Sequence, residues 1–202
     1  MLTVSAKSKS SVPILEADTY PARCVSLIDI GDQFSEMSGR FNRQVVLMFE
    51  LPTEHVVIDG EKKPRFMSIT YTLSLSEKAK LRTILETWRG RGFTDDELKG
   101  FDLKQIVGQA CMLTVVHKTA KNGNTYANIG TITKPMKGIT IPEAETPLLI
   151  YDLDEPDALE KMEQLPEWVQ NRIKQSETYK RMTEQASTAQ GFMDVNPDDL
   201  PF

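Results

Sequence analysis

The sequence predicts a mainly β domain followed by an acidic extension, and two observations support this. Apolar and polar residues alternate with a period of two in several stretches before residue 140, with one helical stretch among them. Residues 1–140 hold 19 Lys+Arg and 15 Asp+Glu while residues 141–202 hold 5 and 14, so the net charge of −5 divides into +4 and −9. A weakly basic front half favours a polyanionic partner, although acidic tails also serve solubility.

Three strands are predicted first. Tyr20–Ile30 is rich in β-branched residues and ends at a Gly-Asp pair, and the polar stretch Asp32–Asn42 after it indicates a mobile loop. Phe41–Leu51 forms the second strand. In the third, Phe66–Leu75, odd positions from Met67 on are apolar and even positions are Ser or Thr, which is typical of a strand with one buried face.

A helical period follows the third strand. Ser74–Glu77 has the form of a capping box, and a second capping box at Thr94–Glu97 opens a shorter helix that ends at Gly100. Between the two boxes, apolar residues fall on one helical stripe before Gly90 and Gly92: Leu81, Ile84, Leu85 and Trp88.

The chain then returns to strands. Ala110–Thr119 and Thr125–Thr133 flank an Asn-Gly pair, a strong hairpin signal. Three strands, a helix and a closing hairpin is the order of a five-stranded OB-fold barrel with a helix between strands 3 and 4, although other small barrels share parts of it. We therefore predict a flexible N-terminus over residues 1–14 and an OB-fold domain over residues 15–140.

The rear of the chain is predicted to be an acidic extension with short helices over residues 141–184 and a disordered tail over residues 185–202. Short helices should start near Pro166, with Ile173 and Trp168 packing on the barrel. From Thr183 onward, polar and small residues replace the apolar period, which favours disorder.

The final residues combine acids with an apolar end. Carboxylates precede a terminal Phe202 that carries its own α-carboxylate, a combination suited to a small apolar pocket ringed by Lys or Arg. The ending closely resembles the acidic tip of bacterial single-stranded DNA-binding proteins, whose usual Asp-Asp-Ile-Pro-Phe has Leu200 in place of Ile here. The resemblance implies recruitment of replication and repair enzymes such as a helicase, polymerase or nuclease, through these residues: Asp194, Asp198, Asp199, Leu200, Pro201 and Phe202.

Other segments resemble a second family. Four segments are similar to a family of phage-encoded single-stranded DNA-binding replication proteins with an OB-fold: YPARCVSLIDIG, FELP, YTLSLSEKAKLR and TYANI. The resemblance implies a protein that coats and protects single-stranded DNA in replication, recombination and repair in the host cytoplasm. Whether it works as a monomer, a homodimer or a larger assembly stays open.

Binding to single-stranded DNA needs cations for phosphates and flat rings for bases. OB-folds use a strand face and two flanking loops, which here lie after the first strand and in the closing hairpin. Phe41 shares the parity of the core residues, so packing is as plausible for it as base stacking, and His117 is interpreted mainly as a strand residue. The DNA-binding candidates are Phe34, Arg40, Phe41, Arg43, Lys63, Arg65, His117, Lys118, Lys121 and Tyr126.

Catalysis is not expected, and neither a cofactor nor a metal ion is predicted. Asp95–Glu97 and Asp102 could be imagined as nuclease metal ligands, but Asp95–Glu97 fit the first turn of a capped helix better, and Asp152–Asp157 matches a calcium loop only at its start. Cys24 and Cys111 lack a CxxC pattern, and the sequence has no membrane-spanning run or secretory signal, so we expect a cytoplasmic protein. The alternative function is an OB-fold interaction adaptor or recombination mediator that does not itself bind DNA tightly. A metal-dependent nuclease is not expected.

Overall fold

A computed structural model describes residues 12–36 and 38–193, with side chains described as far as Gln185. The strands are β1 (Thr19–Ser35), β2 (Arg40–Ile58), β3 (Glu61–Thr72), β4 (Ala110–Thr119), β5 (Thr125–Thr133) and β6 (Leu149–Tyr151). The α-helices are α1 (Lys80–Arg89), α2 (Asp95–Lys99), α3 (Ala158–Lys161), α4 (Glu167–Gln175) and α5 (Glu177–Met193). Short 3₁₀ turns cover Leu103–Ile106 and Met162–Gln164.

The strands form a nearly closed antiparallel barrel, which confirms the predicted mainly β class. The strand order is β3-β2-β1-β4-β5, and β3 and β5 approach each other across the remaining gap. Helix α1 lies between β3 and β4 in the chain and packs against β3 and β5. This arrangement agrees with the predicted five-stranded OB-fold barrel and its helix after the third strand.

The barrel interior is the first of two hydrophobic cores. Inward residues of β2 such as Leu47 and Phe49 meet the apolar stripe of α1, including Leu85 and Trp88, as the periodicity predicts. The indole Nε1 of Trp88 donates a hydrogen bond to the carbonyl of Ala110 at 2.8 Å, which fixes α1 to β4. Both cysteines are free and buried in this core.

The extension forms a second core on the outside of the barrel. Ile28 and Val46 point away from the interior because side chains alternate along a strand, and they pack against Tyr151, Val169 and Ile173. Strand β6 pairs in parallel with β1 at residues 26–28. Residues 141–185 are therefore an integral covering layer of the β1–β2 face.

The strands extend further than the sequence predicts. The prediction of a mobile loop over Asp32–Asn42 is wrong. Strand β1 runs to Ser35 and β2 begins at Arg40, so only a tight turn separates them. Polar residues can stay in strand here because backbone pairing with the neighbouring strand, which single-residue propensity does not register, holds the extended conformation. The third strand is shifted toward the N-terminus and ends at Thr72, and Leu73 is exposed.

The two predicted capping boxes have different outcomes. The box at Thr94–Glu97 is confirmed in both directions. The prediction of a capping box at Ser74–Glu77 is wrong, because α1 begins at Lys80 and its N-cap residue Ala79 makes no side-chain hydrogen bond to the helix start. Ser74 instead bonds to the backbone and hydroxyl of Ser76 within the connecting turn, a local alternative that serine side chains often adopt.

Two expectations about the extension also differ from the structure. Trp168 does not pack on the barrel; it is 43% exposed, whereas its neighbour Val169 and the predicted anchor Ile173 are fully buried. Helix α5 continues past Thr183, the predicted start of disorder, to Met193. None of the helices in the described part of the chain is long and apolar enough to cross a bilayer.

Candidate nucleic-acid interface

An exposed pair of aromatic rings lies at the end of the β1–β2 hairpin. Phe34 and Phe41 are direct cross-strand partners, their ring centroids are 5.3 Å apart, and their planes are tilted by 60°. They are 57% and 51% exposed, so neither ring belongs to a core. Arg40, opposite Ser35, directly precedes Phe41 and is also exposed, so the same strand end carries a cation on the opposite face of the hairpin. We call Phe34, Arg40 and Phe41 the hairpin platform.

The turn that supports this platform is compact. The amide of Gly39 donates to the carbonyl of Ser35 at 2.8 Å, and Gly39 adopts a positive φ of 63°. Glycine reaches that backbone region without the steric cost that other residues meet. The two strand ends are therefore held close together, which keeps the two rings adjacent and presents them to solvent.

Arg43 lies on the same face but is already neutralised. Its guanidinium donates to the carboxylate of Asp29 and forms an ion pair of 2.8 Å with Asp154 of the extension. Hydrogen bonds to Asp29, and then to Asp154, raise the pKa of Arg43 above its ordinary value, whereas its partial burial lowers it. The structure therefore gives this predicted DNA-binding residue a part in linking the hairpin to the extension.

A second exposed cluster lies on the β4–β5 hairpin. Lys118 and Tyr126 face each other across the two strands, and Lys121 is in the turn beyond them. Tyr126 is 48% exposed, and its hydroxyl accepts a hydrogen bond of 3.3 Å from the Asn124 amide. Hydrogen bonding from Asn124 and Asn122 lowers the pKa of Tyr126. A ring and two cations again lie close together.

The remaining predicted site residues hold other parts of the protein. His117 donates from Nε2 to the carbonyl of Leu15 at 2.8 Å, and Arg65 donates to the carbonyl of Pro13. These two side chains therefore fasten the segment that leads into β1. Lys63 is exposed and pairs with Glu61 at 3.0 Å, which reduces the charge available to a phosphate.

The two exposed clusters lie beyond opposite ends of β1. Thr19, at the start of β1, pairs with Thr114, and β4 then continues toward the Lys121 turn. The hairpin platform is at the other end of β1, and an extended strand of this length spans roughly 50 Å from end to end. The sequence suggested two loops flanking one strand face, and the structure shows that the face of β1 and β2 between them is covered by the extension.

A basic groove contains residues that the sequence analysis did not select. It has a volume of about 610 Å³ and lies where β2, β3 and the start of α1 meet the extension. Its cations are Lys78, Lys80 and Arg172. The Lys-x-Lys spacing before a helix is visible in the sequence, but Arg172 is distant in the chain, and only tertiary packing brings it here.

The acidic residues considered for metal binding are used in local structure. Glu97 accepts hydrogen bonds from Arg91 and from the Thr94 amide, and these contacts lower its pKa to about 2. Asp102 caps a 3₁₀ turn, and Asp154 pairs with Arg43. Within the part of the chain that the structure describes, no group of three or more His, Cys, Asp or Glu residues is arranged to hold a metal ion.

Comparison with known proteins adds no family assignment. No protein-family model matches this chain, and no curated protein matches it. The predicted partner-binding residues from Asp194 to Phe202 lie outside the described residues.

Proposed function

We propose that this protein binds single-stranded DNA with little sequence preference, and that it coats and protects the strand during replication, recombination and repair, as in the phage proteins it resembles. The observation that carries the proposal is the hairpin platform. Phe34 and Phe41 are adjacent and expose more than half of their surface, and the exposed Arg40 lies at the same strand end. Exposed adjacent rings with a cation suit a stacked nucleotide.

The chemistry of the platform favours a single strand over a duplex. Base-to-ring stacking contributes about 1–3 kcal/mol per base, and every base offers a flat face, so the contact tolerates any sequence. In a duplex those faces are already stacked on neighbouring bases and must be exposed at a cost. Tyr126 with Lys118 and Lys121 supplies a second contact of the same kind on the β4–β5 hairpin.

The acidic end of the chain would provide the second part of this function. The sequence from Asp194 to Phe202 resembles the tip with which bacterial single-stranded DNA-binding proteins recruit replication enzymes, so a helicase, polymerase or nuclease is the partner expected here. The same acids would compete with DNA for basic surface. A chain lacking residues 185–202 should then bind DNA more tightly at low salt; unchanged affinity would refute the competition.

A salt-titrated binding measurement tests the central proposal. A fluorescent oligo-dT and a duplex of equal length are titrated with the full chain while anisotropy is recorded from low to physiological salt. We expect the single strand to bind more tightly than the duplex, with an affinity that falls linearly on a logarithmic salt scale. Equal affinity for both DNAs, or no binding at low salt, overturns the proposal.

One observation favours the alternative function, an interaction adaptor or recombination mediator. The extension covers the β1–β2 face with apolar contacts, which removes a face that an OB-fold can offer to a nucleic acid. An adaptor predicts that the oligo-dT titration stays flat while the tip still binds a replication enzyme. The anisotropy experiment therefore separates the two functions.

A further inference from the structure

The basic groove next to the hairpin platform has the composition of an anion site. Three cations line it, Lys78, Lys80 and Arg172, and no Asp or Glu is among its described lining residues. Its remaining polar surface carries hydroxyl and amide groups that can donate hydrogen bonds, including Asn42, Thr72 and Ser76. Such a lining suits a ligand with negative charge and several acceptor oxygens.

The Arg172 guanidinium is the most informative of these groups. It donates to Thr70 Oγ1 at 2.7 Å and to Gln44 Oε1 at 3.1 Å, so it is held firmly, but by two neutral acceptors. It is partly buried, and this burial lowers its pKa. Among the described side chains, six other arginines form ion pairs with carboxylates: Arg23, Arg43, Arg82, Arg89, Arg91 and Arg181.

Within the described residues, Arg172 itself forms no ion pair with a carboxylate and has only these two neutral acceptors. Among those same residues, Lys78 and Lys80 also form no ion pair, and both are exposed. Placing a cation in a partly desolvated position costs free energy, and a fixed guanidinium is well suited to a phosphate, which it can bind through two parallel hydrogen bonds. A phosphate in the groove would offset that cost.

The start of helix α1 adds no negative charge to this region. Ala79 and Lys80, its N-cap and first residue, line the groove, and the first turn of α1 contains no acidic residue. A helix start attracts anions through its free amide groups and dipole. The helix start adds to the positive potential of the groove, which comes mainly from Lys78, Lys80 and Arg172.

The groove begins one residue beyond the hairpin platform in β2. Asn42, which lines the groove, follows Phe41 directly, and Gln44 lies roughly 7 Å beyond Asn42 along the strand. Phe41 and Asn42 point to opposite faces by strand alternation, so a ligand that touches both must cross the edge of β2. The pairing of β2 with β3 ends at Gln44 and Thr72, and one further hydrogen bond of 2.8 Å runs from the Leu73 amide to the Arg43 carbonyl. The edge of β2 before Arg43 is therefore accessible.

We propose that this groove binds the sugar-phosphate backbone of the single strand whose bases stack on the hairpin platform, with Lys78, Lys80 and Arg172 contacting phosphates. The inference rests on the proposed function and extends it by naming the route of the strand. The strand leaves the two rings, crosses the edge of β2 and enters the groove between β3 and α4. The groove contributes charge and the platform contributes stacking.

The test compares two charge-matched double variants of the full chain. K78Q/K80Q removes two groove cations, while K174Q/K180Q removes two exposed lysines of α4 and α5 that do not line the groove. Each cation that contacts a phosphate of a single strand contributes about 0.7 to the slope of log affinity against log salt. We expect the slope of K78Q/K80Q to fall by about 1.4 and its affinity at 0.1 M salt to fall on the order of tenfold.

The outcomes separate the two proposals. If the wild type binds oligo-dT and both double variants keep its slope, or lose equal amounts of it, the groove assignment is overturned and the function stands. If the wild type does not bind oligo-dT, the function and the groove assignment both fail. R172K, which keeps the charge but loses the planar guanidinium, should keep the slope and lower the affinity, and thermal melting confirms that each variant is folded.

Discussion

Removing the two exposed rings of the hairpin platform is the sharpest test of how this protein would hold DNA. If each ring stacks on one base, F34A and F41A should each weaken oligo-dT binding by about 1–3 kcal/mol, or roughly 5- to 150-fold. The folded state should change little, because both rings are more than half exposed. Only their mutual contact at 5.3 Å is lost, a pair worth about 0.5–1.5 kcal/mol.

The double variant F34A/F41A shows how the rings share the bases. If the binding free energies lost in the two single variants add up in the double variant, the two rings stack on separate bases. If the double variant binds no more weakly than either single variant, the rings hold one base together. Anisotropy titration with oligo-dT at fixed salt gives the affinities, and W168A is the control because it removes an exposed ring of α4 outside the hairpin. If F34A/F41A stays within about twofold of the wild type while binding remains tight, the stacking argument is refuted.

Three further predictions concern stability. G31A should destabilise the fold by about 1–3 kcal/mol in denaturant unfolding, since Gly31 has a φ of 71° and its added Cβ would lie 2.8 Å from Ser176 Oγ. E50Q should lower the free energy of unfolding by about 1–3 kcal/mol, because the buried carboxylate accepts two backbone amides of the extension, at 2.7 and 3.0 Å. The pKa of Glu97 falls from 4.5 to about 2 on folding, so its stabilisation is complete above pH 4.5 and disappears as the pH falls to about 2. E97Q should flatten that part of a pH-dependent melting profile.

Each of these predictions has an outcome that contradicts it. Wild-type stability for G31A would show that the extension does not pack on β1 as closely as described. Limited proteolysis should cut the extension first in E50Q, and an unchanged cleavage pattern would argue against the Glu50 tether. If the melting temperatures of E97Q and the wild type fall in parallel between pH 4.5 and 2, Glu97 does not contribute to the loss of stability in acid.

Short-range patterns in the sequence predicted much of the barrel. The Asn-Gly turn defined β4 and β5 with the bounds found in the structure, and the stripe ending at Trp88 identified the buried face of α1. These predictions hold because turn chemistry and side-chain periodicity act over a few residues. The Ser74–Glu77 capping box failed for the opposite reason: the same motif fits a turn as well as a helix start, and the surrounding packing selects between them.

The sequence alone determined that the chain is a mainly β domain with a weakly basic front and an acidic rear, since composition and local period need no knowledge of contacts. Only the tertiary structure decided which cations are free. Arg43, a predicted DNA contact, is paired with Asp154 of the extension, whereas Arg172, which the sequence does not single out, lies beside Thr70 and Gln44 without a carboxylate. A charge acts through its nearest neighbours, and residues more than one hundred positions apart become neighbours only when the chain folds.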